Sequence, residues 1–301
     1  MSNLVDPKII AGIKDLPLLA KTMVDGFMAG ANKSLLKGEG IEFSQYRSYQ
    51  PGDDLRQLDW KMFARSDRYF IRESQIEASI RVRFILDASA SMNHRDGDKK
   101  GLNGIRKIDF AKYLIASLAY LGYLQGDAVG LTVLHQTKPI RIEPAQSFQH
   151  LNNIWHQLEG VEPDDLFSGD QVKSPNIAGN QQKELTIFLT DFYQLDREIS
   201  TYIEAFKRRR NEVLVFHLMA NNELQFDFPD HSTLQDLESR TKVQLDKKSM
   251  QQHYFDHLSL FLASTRLSML ERQVAYHLFT LDQPIGIALR NFLQLRKRIQ
   301  V

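Results

Sequence analysis

The stretch Arg83-Phe84-Ile85-Leu86-Asp87-Ala88-Ser89-Ala90-Ser91-Met92 decides how the rest of the chain is organised. Its apolar run, 82–86, is short and is typical of a buried central strand. Asp87, Ser89 and Ser91 follow at alternate positions, and alternate side chains of an extended chain point the same way. Their carboxylate and hydroxyl oxygens should therefore converge, and such oxygens are ligands that suit Mg²⁺. The alternative is a strand followed by a serine-rich turn that binds nothing.

Strands and helices alternate through most of the remaining sequence. We predict strands at 128–134, 185–189, 213–219, 243–245 and 274–278, an antiparallel edge hairpin at 139–142, and helices within 8–36, 108–124, 147–158, 196–209, 232–240, 249–272 and 285–298. This alternation predicts an α/β fold with a doubly wound, mostly parallel sheet. We expect two parts, an N-terminal helix and β module over 1–80 and the main domain over 81–301.

Asp191 strengthens the argument for a site at the carboxyl edge of the sheet. It follows the predicted strand 185–189, as Asp87 follows 82–86. Parallel strands place their carboxyl ends on one edge, so the two carboxylates should meet if their strands are neighbours. Asp191 could instead cap the helix that follows, and the two roles are compatible.

The N-terminal module is dense in charged and aromatic residues. One interpretation is a small β module held together by buried Arg–Asp pairs, in which Asp53 and Asp59 are structural. The other is a surface that recognises a partner, since arginine and tryptophan are enriched in interface hot spots. The candidate partner-binding residues are Arg47, Arg56, Trp60 and Arg65. Arg65 favours docking because it follows Trp60 in what reads as a polar connection.

Composition excludes several classes of function. The 301 residues carry a formal net charge of only +1, which gives no global electrostatic reason to bind nucleic acid. The chain has no cysteine, which excludes disulfides, thiolate zinc sites and cysteine nucleophiles. The longest apolar-rich run, 113–124, is too short to span a membrane. The N-terminus has no basic segment followed by an apolar stretch, so we expect a cytoplasmic protein.

Two sets of motifs resemble known families. The order strand-Asp-x-Ser-x-Ser, helix, hairpin, helix and strand-Thr-Asp resembles the von Willebrand factor A fold and its metal-ion-dependent adhesion site. Upstream, Gly-Glu-Gly-Ile-Glu-Phe at 38–43, Tyr-Arg-Ser-Tyr-Gln-Pro-Gly-Asp-Asp at 46–54 and Leu-Asp-Trp at 58–60 resemble the bacterial domain of unknown function 58 family, DUF58. The resemblance runs from about residue 10 to residue 300. It implies a non-enzymatic module that is encoded beside a MoxR-type AAA+ ATPase and works with it in protein assembly or maturation. Other von Willebrand factor A proteins are further possible partners.

The same resemblance implies a set of metal ligands. Asp87, Ser89 and Ser91 match the first metal motif and Asp191 matches the last, while Asp164 stands where the family pattern has a threonine. A third carboxylate would bind metal more firmly but would weaken the ion's attraction for a partner's acid. Without metal, three crowded carboxylates would repel and one would tend to stay protonated. Mg²⁺ is the expected ion, with Mn²⁺ and Ca²⁺ as alternatives.

Two other functions remain open at this point. The first is a metal-dependent hydrolase that uses Asp87, Asp164 and Asp191, and the second is a scaffold whose metal site is inactive. The sequence lacks the Gly-x-x-x-x-Gly-Lys, Gly-x-Ser-x-Gly and His-Glu-x-x-His motifs, which favours the non-enzymatic adaptor.

Overall fold

The computed structural model describes residues 15–35, 45–50, 58, 60–73, 79–95, 104–135, 137–163, 184–193, 198–207, 211–228, 233–235, 242–244 and 247–300. Contacts divide the chain into two units, one formed by 1–27 and 79–301 and the other by 28–78. The helices are α1 (Leu16–Leu35), α2 (Trp60–Ser66), α3 (Lys107–Leu124), α4 (Phe148–Glu159), α5 (Glu198–Lys207), α6 (Asn221–Gln225), α7 (Lys247–Glu271) and α8 (Gly286–Gln300). The strands are β1 (Gln45–Ser48), β2 (Phe70–Glu73), β3 (Arg81–Asp87), β4 (Ala128–Leu134), β5 (Ile140–Ala145), β6 (Glu184–Thr190), β7 (Glu212–Met219), β8 (Thr233–Gln235), β9 (Lys242–Gln244) and β10 (Ala275–Thr280).

The larger unit is built on a six-stranded sheet in the order β10-β7-β6-β3-β4-β5. Every neighbouring pair is parallel except β4 and β5, so β5 is the antiparallel edge strand that the sequence predicts. Strand β3 is buried on both faces, because neighbouring residues such as Phe84 and Ile85, which point to opposite sides, are equally inaccessible. The fold is therefore the predicted α/β fold with a doubly wound, mostly parallel sheet.

Aromatic and aliphatic side chains form a core on each face of the sheet. On one face, Phe188 of β6 contacts Tyr202 and Phe206 of α5. On the other, Phe279 of β10 contacts Phe110 of α3. These layers fix the strands, and with them the loops that follow the carboxyl ends of the strands.

The amino edge of the sheet contains a buried ion pair between Asp127 and Arg296. Asp127, just before β4, is fully buried and accepts a hydrogen bond from Arg296 of α8 at 2.7 Å. It also accepts one from the backbone N–H of Ile80 at 3.1 Å. Asp127 therefore links α8 to the starts of β3 and β4, at the edge of the sheet opposite the predicted metal site.

Two predicted local structures are wrong. We expected a helix over 232–240, but Thr233–Gln235 forms a strand that pairs antiparallel with Lys242–Gln244. A short isolated helix is marginal in water, and cross-strand hydrogen bonds satisfy the backbone instead. We also expected a polar connection at Arg65, which in fact lies in the last turn of α2. Helix α1 is capped by Asp15, whose carboxylate accepts from the N–H of Leu18 at 2.9 Å.

The smaller unit contains a two-stranded antiparallel sheet, in which β1 pairs with β2. Helix α2 lies between these strands in sequence and presents Phe63 to Tyr69, with the two rings stacked at 4.5 Å between centroids. Tyr49 adds an edge contact to Tyr69 at 6.3 Å. Aromatic contacts therefore organise this unit, as expected for a sheet too small to form a large core.

Candidate functional site

The candidate site lies where three neighbouring parallel strands end. Strand β6 lies between β3 and β7, with Leu86 opposite Leu189 and Thr190 opposite His217. Because the three strands are parallel, their carboxyl ends share one edge, which is where open α/β sheets bind ligands. The predicted meeting of the residues that follow β3 and β6 depends on this strand order.

Asp87 is the last residue of β3 and is almost completely buried. One carboxylate oxygen accepts from the N–H of Ser89 at 3.0 Å, and the other accepts from the hydroxyl of Thr190 at 2.7 Å. Burial and then the charge of Asp191 raise the pKa of Asp87 to about 6, although the two hydrogen bonds oppose the rise. Its carboxylate is thus held in one orientation, and its negative charge is unfavourable unless a cation is near.

The two serines connect Asp87 to Asp191. The hydroxyl oxygens of Ser89 and Ser91 are 3.1 Å apart, and the hydroxyl of Ser91 donates to Asp191 Oδ1 at 3.1 Å. A short 3₁₀ turn over Ala90–Asn93 brings Ser91 into this position. The N–H of Tyr193 also donates to Asp191 Oδ1, at 3.1 Å. We call Asp87, Ser89, Ser91 and Asp191 the oxygen cluster.

The structure brings together four of the five predicted metal ligands. The fifth, Asp164, lies outside the described residues, which reach position 163 in this segment. Glu162 binds Arg106 at 2.6 Å, and Arg106 immediately precedes α3. The segment that leads to Asp164 is therefore fixed, up to Glu162, beside the first turn of α3.

Sequence reasoning missed two residues at this edge. The ammonium of Lys107, in the first turn of α3, lies 3.0 Å from Asp191 Oδ2 and 2.7 Å from Glu223 Oε1. Glu223, in α6 after β7, is held by a hydrogen bond from the N–H of Ala220 to its second oxygen at 2.8 Å. Burial favours the neutral form of the Lys107 amine, but the charges of Asp191 and Glu223 outweigh it and raise the pKa of Lys107 above its ordinary value. One signal was available, because a lysine at a helix N-terminus opposes the helix dipole and needs a separate reason to be there.

The oxygen cluster fits a hard divalent cation in its chemistry. It supplies two carboxylates and two hydroxyls, and oxygen atoms are the ligands that Mg²⁺ and Ca²⁺ prefer. It is not a site of the acid-rich or histidine-rich kind, since the described residues contain no group of three or more His, Cys, Asp or Glu that could hold a metal ion. Any cation held here would depend on hydroxyl ligands.

The structure describes only part of the predicted partner-binding set. Trp60 begins α2 with 63% of its surface exposed, and Arg65 is exposed in the last turn of the same helix. Arg47 lies in β1 opposite Ile71, but its side chain is outside the described residues. Arg56, Asp53 and Asp59 also lie outside them, so their roles stay predictions.

The strand order and the Asp-x-Ser-x-Ser loop at the carboxyl edge define a von Willebrand factor A-like domain. The family described as "Protein of unknown function DUF58" matches residues 45–258, which is more than half of the chain. The chain therefore belongs to the DUF58 family.

Curated relatives and solved structures are similar to the chain at a distance. The uncharacterized protein Rv1480 of Mycobacterium tuberculosis is 25% identical over 194 residues, which span 62% of this chain and 58% of that protein. An aerotolerance-related membrane protein from Bacteroides fragilis is 14% identical with a TM-score of 0.44, covering 73% of this chain and all of that one. A von Willebrand factor type A protein from Catenulispora acidiphila is 9% identical with a TM-score of 0.36, covering 74% of this chain and 43% of that one. Among the described helices of this chain, none has both the length and the apolar character that a membrane span requires.

Proposed function

We propose that this chain is a non-enzymatic adaptor that binds a divalent cation at the oxygen cluster and works with a MoxR-type AAA+ ATPase in protein assembly or maturation. Mg²⁺ is the first choice, because carboxylate and hydroxyl oxygens are its usual protein ligands. Since such an ATPase consumes ATP, the proposal includes a cytoplasmic location.

The continuous contact from Asp87 through Ser89 and Ser91 to Asp191 carries the proposal. Two of its four side chains are neutral hydroxyls, and the carboxylate of Asp191 is already paired with the ammonium of Lys107, so a bound divalent ion would keep part of its positive charge. A residual charge at the edge of a sheet would attract a carboxylate of a protein partner. The cation would thus supply electrostatic attraction, while the four side chains would hold and orient it.

The hydrogen bonds of the carboxylates support an adaptor more than an enzyme. Asp87 already accepts from Ser89 and Thr190, and Asp191 accepts from Ser91, Tyr193 and Lys107. A general base must reach a proton of the substrate, whereas these hydrogen bonds hold both carboxylates at the buried edge, where their remaining lone pairs can still meet a small cation. The hydrolase alternative also requires Asp164, whose placement is outside the described residues.

Exposed residues of α2 support a docking role for the smaller unit. Trp60 and Arg65 are both accessible, and tryptophan and arginine contribute most of the binding energy in many interfaces. We propose that they contact the ATPase, together with Arg47 and Arg56.

The test of the metal site is a melting curve with and without Mg²⁺. An excess of ten times Kd should stabilise the wild-type protein by about 1.4 kcal/mol through mass action, which is a rise of a few degrees. Asp87→Asn should remove that rise, because it takes away one of the two charged ligands while keeping the shape of the side chain. Asp256→Asn, on the exposed side of α7, is the matched control and should respond as wild type does.

Two outcomes would contradict the proposed metal site. A wild-type protein whose melting temperature ignores Mg²⁺, Mn²⁺ and Ca²⁺ would contradict metal binding itself. An equal rise in wild type and Asp87→Asn would show that the ion binds somewhere other than the oxygen cluster.

A further inference from the structure

Lys107 places a fixed positive charge against the oxygen cluster. Its ammonium group lies 3.0 Å from Asp191, which is a predicted metal ligand, and 2.7 Å from Glu223, which is not. The lysine is 3% exposed, so water screens its charge only weakly. The ammonium group of Lys107 is therefore already a cation beside Asp191, at one end of the oxygen cluster.

The surrounding structure holds Lys107 in place from two directions. The backbone N–H of Lys107 donates to the carbonyl of His94 at 3.1 Å, which fixes the start of α3 to the loop after the 3₁₀ turn. Glu223 is oriented by the N–H of Ala220. A buried lysine at a helix N-terminus is unfavourable both for burial and for the dipole, so the two carboxylates supply the compensation.

We infer that Lys107 is the resident cation of this edge, and that by neutralising Asp191 and Glu223 it limits how tightly a divalent ion binds at the oxygen cluster. The inference rests on the metal site of the proposed function and adds the residue that sets its affinity. Asp191 offers Oδ1 to Ser91 and gives Oδ2 to the ammonium, so an incoming ion competes with Lys107 for this carboxylate. The ion also meets the repulsion of a like charge at short range.

The consequence is a pair of variants with opposite effects. Lys107→Met keeps an apolar chain of similar length but removes the charge, so Mn²⁺ should bind at least tenfold more tightly than to wild type. Glu223→Gln leaves Asp191 as the sole anion paired with Lys107, which reduces the negative charge near the cluster. That variant should bind Mn²⁺ several-fold more weakly, although Glu223 is not a predicted ligand.

The experiment measures free Mn²⁺ by electron paramagnetic resonance in a titration of the full chain. Lys112→Met is the matched control, because Lys112 is also a buried lysine of α3 but lies 3.7 Å from Glu162 and 4.0 Å from Asp109. Its Mn²⁺ affinity should equal that of wild type. Melting curves give a second readout, in which Lys107→Met melts below wild type in EDTA and recovers when Mn²⁺ is added, because the ion replaces the lost ammonium.

The outcomes separate this inference from the proposed function. Binding by wild type that is unchanged in Lys107→Met overturns the inference and leaves the proposed function standing. Tight binding by Lys107→Met with none by wild type supports the inference and overturns metal binding by the natural protein. Binding by none of the variants overturns both. If Lys107→Met does not fold even with Mn²⁺ present, Glu223→Gln decides, and an affinity equal to that of wild type overturns the inference.

Discussion

At the scale of single residues, His217 is a titratable group that is buried among aromatic rings near the site. It lies on β7, its ring meets Phe192 edge to face at 5.1 Å, and its Nδ1 pairs with the hydroxyl of Tyr276 at 2.7 Å. Burial lowers its pKa from 6.5 to about 4, a change that the charge of Asp191 only partly offsets. The folded protein therefore binds a proton at His217 more weakly than the unfolded chain does.

This difference predicts how stability changes with pH. Between pH 6.5 and 4 the unfolded chain is protonated at His217 while the folded protein is not, so stability falls as the pH falls through this window. The loss reaches on the order of 3 kcal/mol below pH 4. His217→Asn, which keeps a partner for Tyr276 but does not titrate, should lose less stability over the window in urea unfolding curves. His257→Asn removes an exposed histidine of α7 and should follow wild type.

Asp87 has the opposite pH dependence, so the comparison must be made between variants. Its pKa is raised to about 6 from 3.8, and the folded protein gains stability from its protonation as the pH falls from about 6 towards 3.8. Both wild type and His217→Asn contain this term, so it cancels in their difference when metal is removed with EDTA. Equal pH profiles for the two proteins would contradict the contribution of His217.

At the scale of elements, the β4–β5 edge depends on one glycine. The register between these strands shifts between Val129 and Leu131, because two steps along β4 face three steps along β5, from Ala145 to Ile142. The extra residue belongs to β5, which therefore bulges opposite Gly130. A side-chain carbon at Gly130 would lie 2.7 Å from the carbonyl oxygen of Ile142 and 2.7 Å from the nitrogen of Pro144. These atoms belong to the partner strand's backbone and cannot move without breaking the pairing.

Gly130→Ala should therefore destabilise the protein by about 1–3 kcal/mol, the usual cost of forcing an atom into packed structure. The control is Gly30→Ala in α1, where an added carbon meets nothing within 4 Å. That substitution should stabilise the protein by about 0.5–1 kcal/mol, because alanine loses less backbone entropy in a helix. Urea unfolding of both variants is the measurement. A neutral Gly130→Ala would show that β5 does not need its close approach to β4.

At the scale of the whole molecule, we propose that one unit attracts a partner's carboxylate through a bound cation and that the other unit contacts the partner through exposed side chains. The oxygen cluster belongs to the unit formed by 1–27 and 79–301, and Trp60 and Arg65 belong to the unit formed by 28–78. A partner that uses both would be held by two separate surfaces. Changes to either surface should weaken binding without unfolding the other unit.

Trp60→Ala tests the proposed docking surface in a binding assay with the purified MoxR-type ATPase that we propose as the partner. We expect at least a tenfold loss of affinity, since truncating a hot-spot tryptophan typically costs about 2 kcal/mol or more. Arg65→Ala should weaken binding in the same direction, and the melting temperature of both should stay close to that of wild type because the side chains are exposed. Leu267→Ala, which is 55% exposed on α7, is the control and should bind normally. Unchanged affinity in both variants, or unfolding of Arg65→Ala, would contradict the assignment.

The sequence by itself determined the features that local patterns encode. The apolar run before Asp87, the alternate spacing of Ser89 and Ser91, and the alternation of strands with helices all follow from periods of two and 3.6 residues. Because parallel strands end on one edge, the sequence also predicted that Asp191 would meet Asp87. The structure brings these side chains together, and Thr190, which was noted only as part of a motif, binds Asp87 directly.

Only the tertiary structure decided the charge of the site. Lys107 lies 84 residues from Asp191 and 116 from Glu223, and no local pattern links side chains so far apart. Their contact exists because β3, β6 and β7 are adjacent and because burial makes an unpaired charge too costly to leave without a partner. The strand at Thr233–Gln235 also depends on tertiary structure. Its conformation is set by pairing with Lys242–Gln244 and not by the propensity of its own residues. Local conformational propensity contributes little free energy compared with strand pairing and with the desolvation of buried charges. Those two contributions therefore determine which strands pair and which charged residues come into contact.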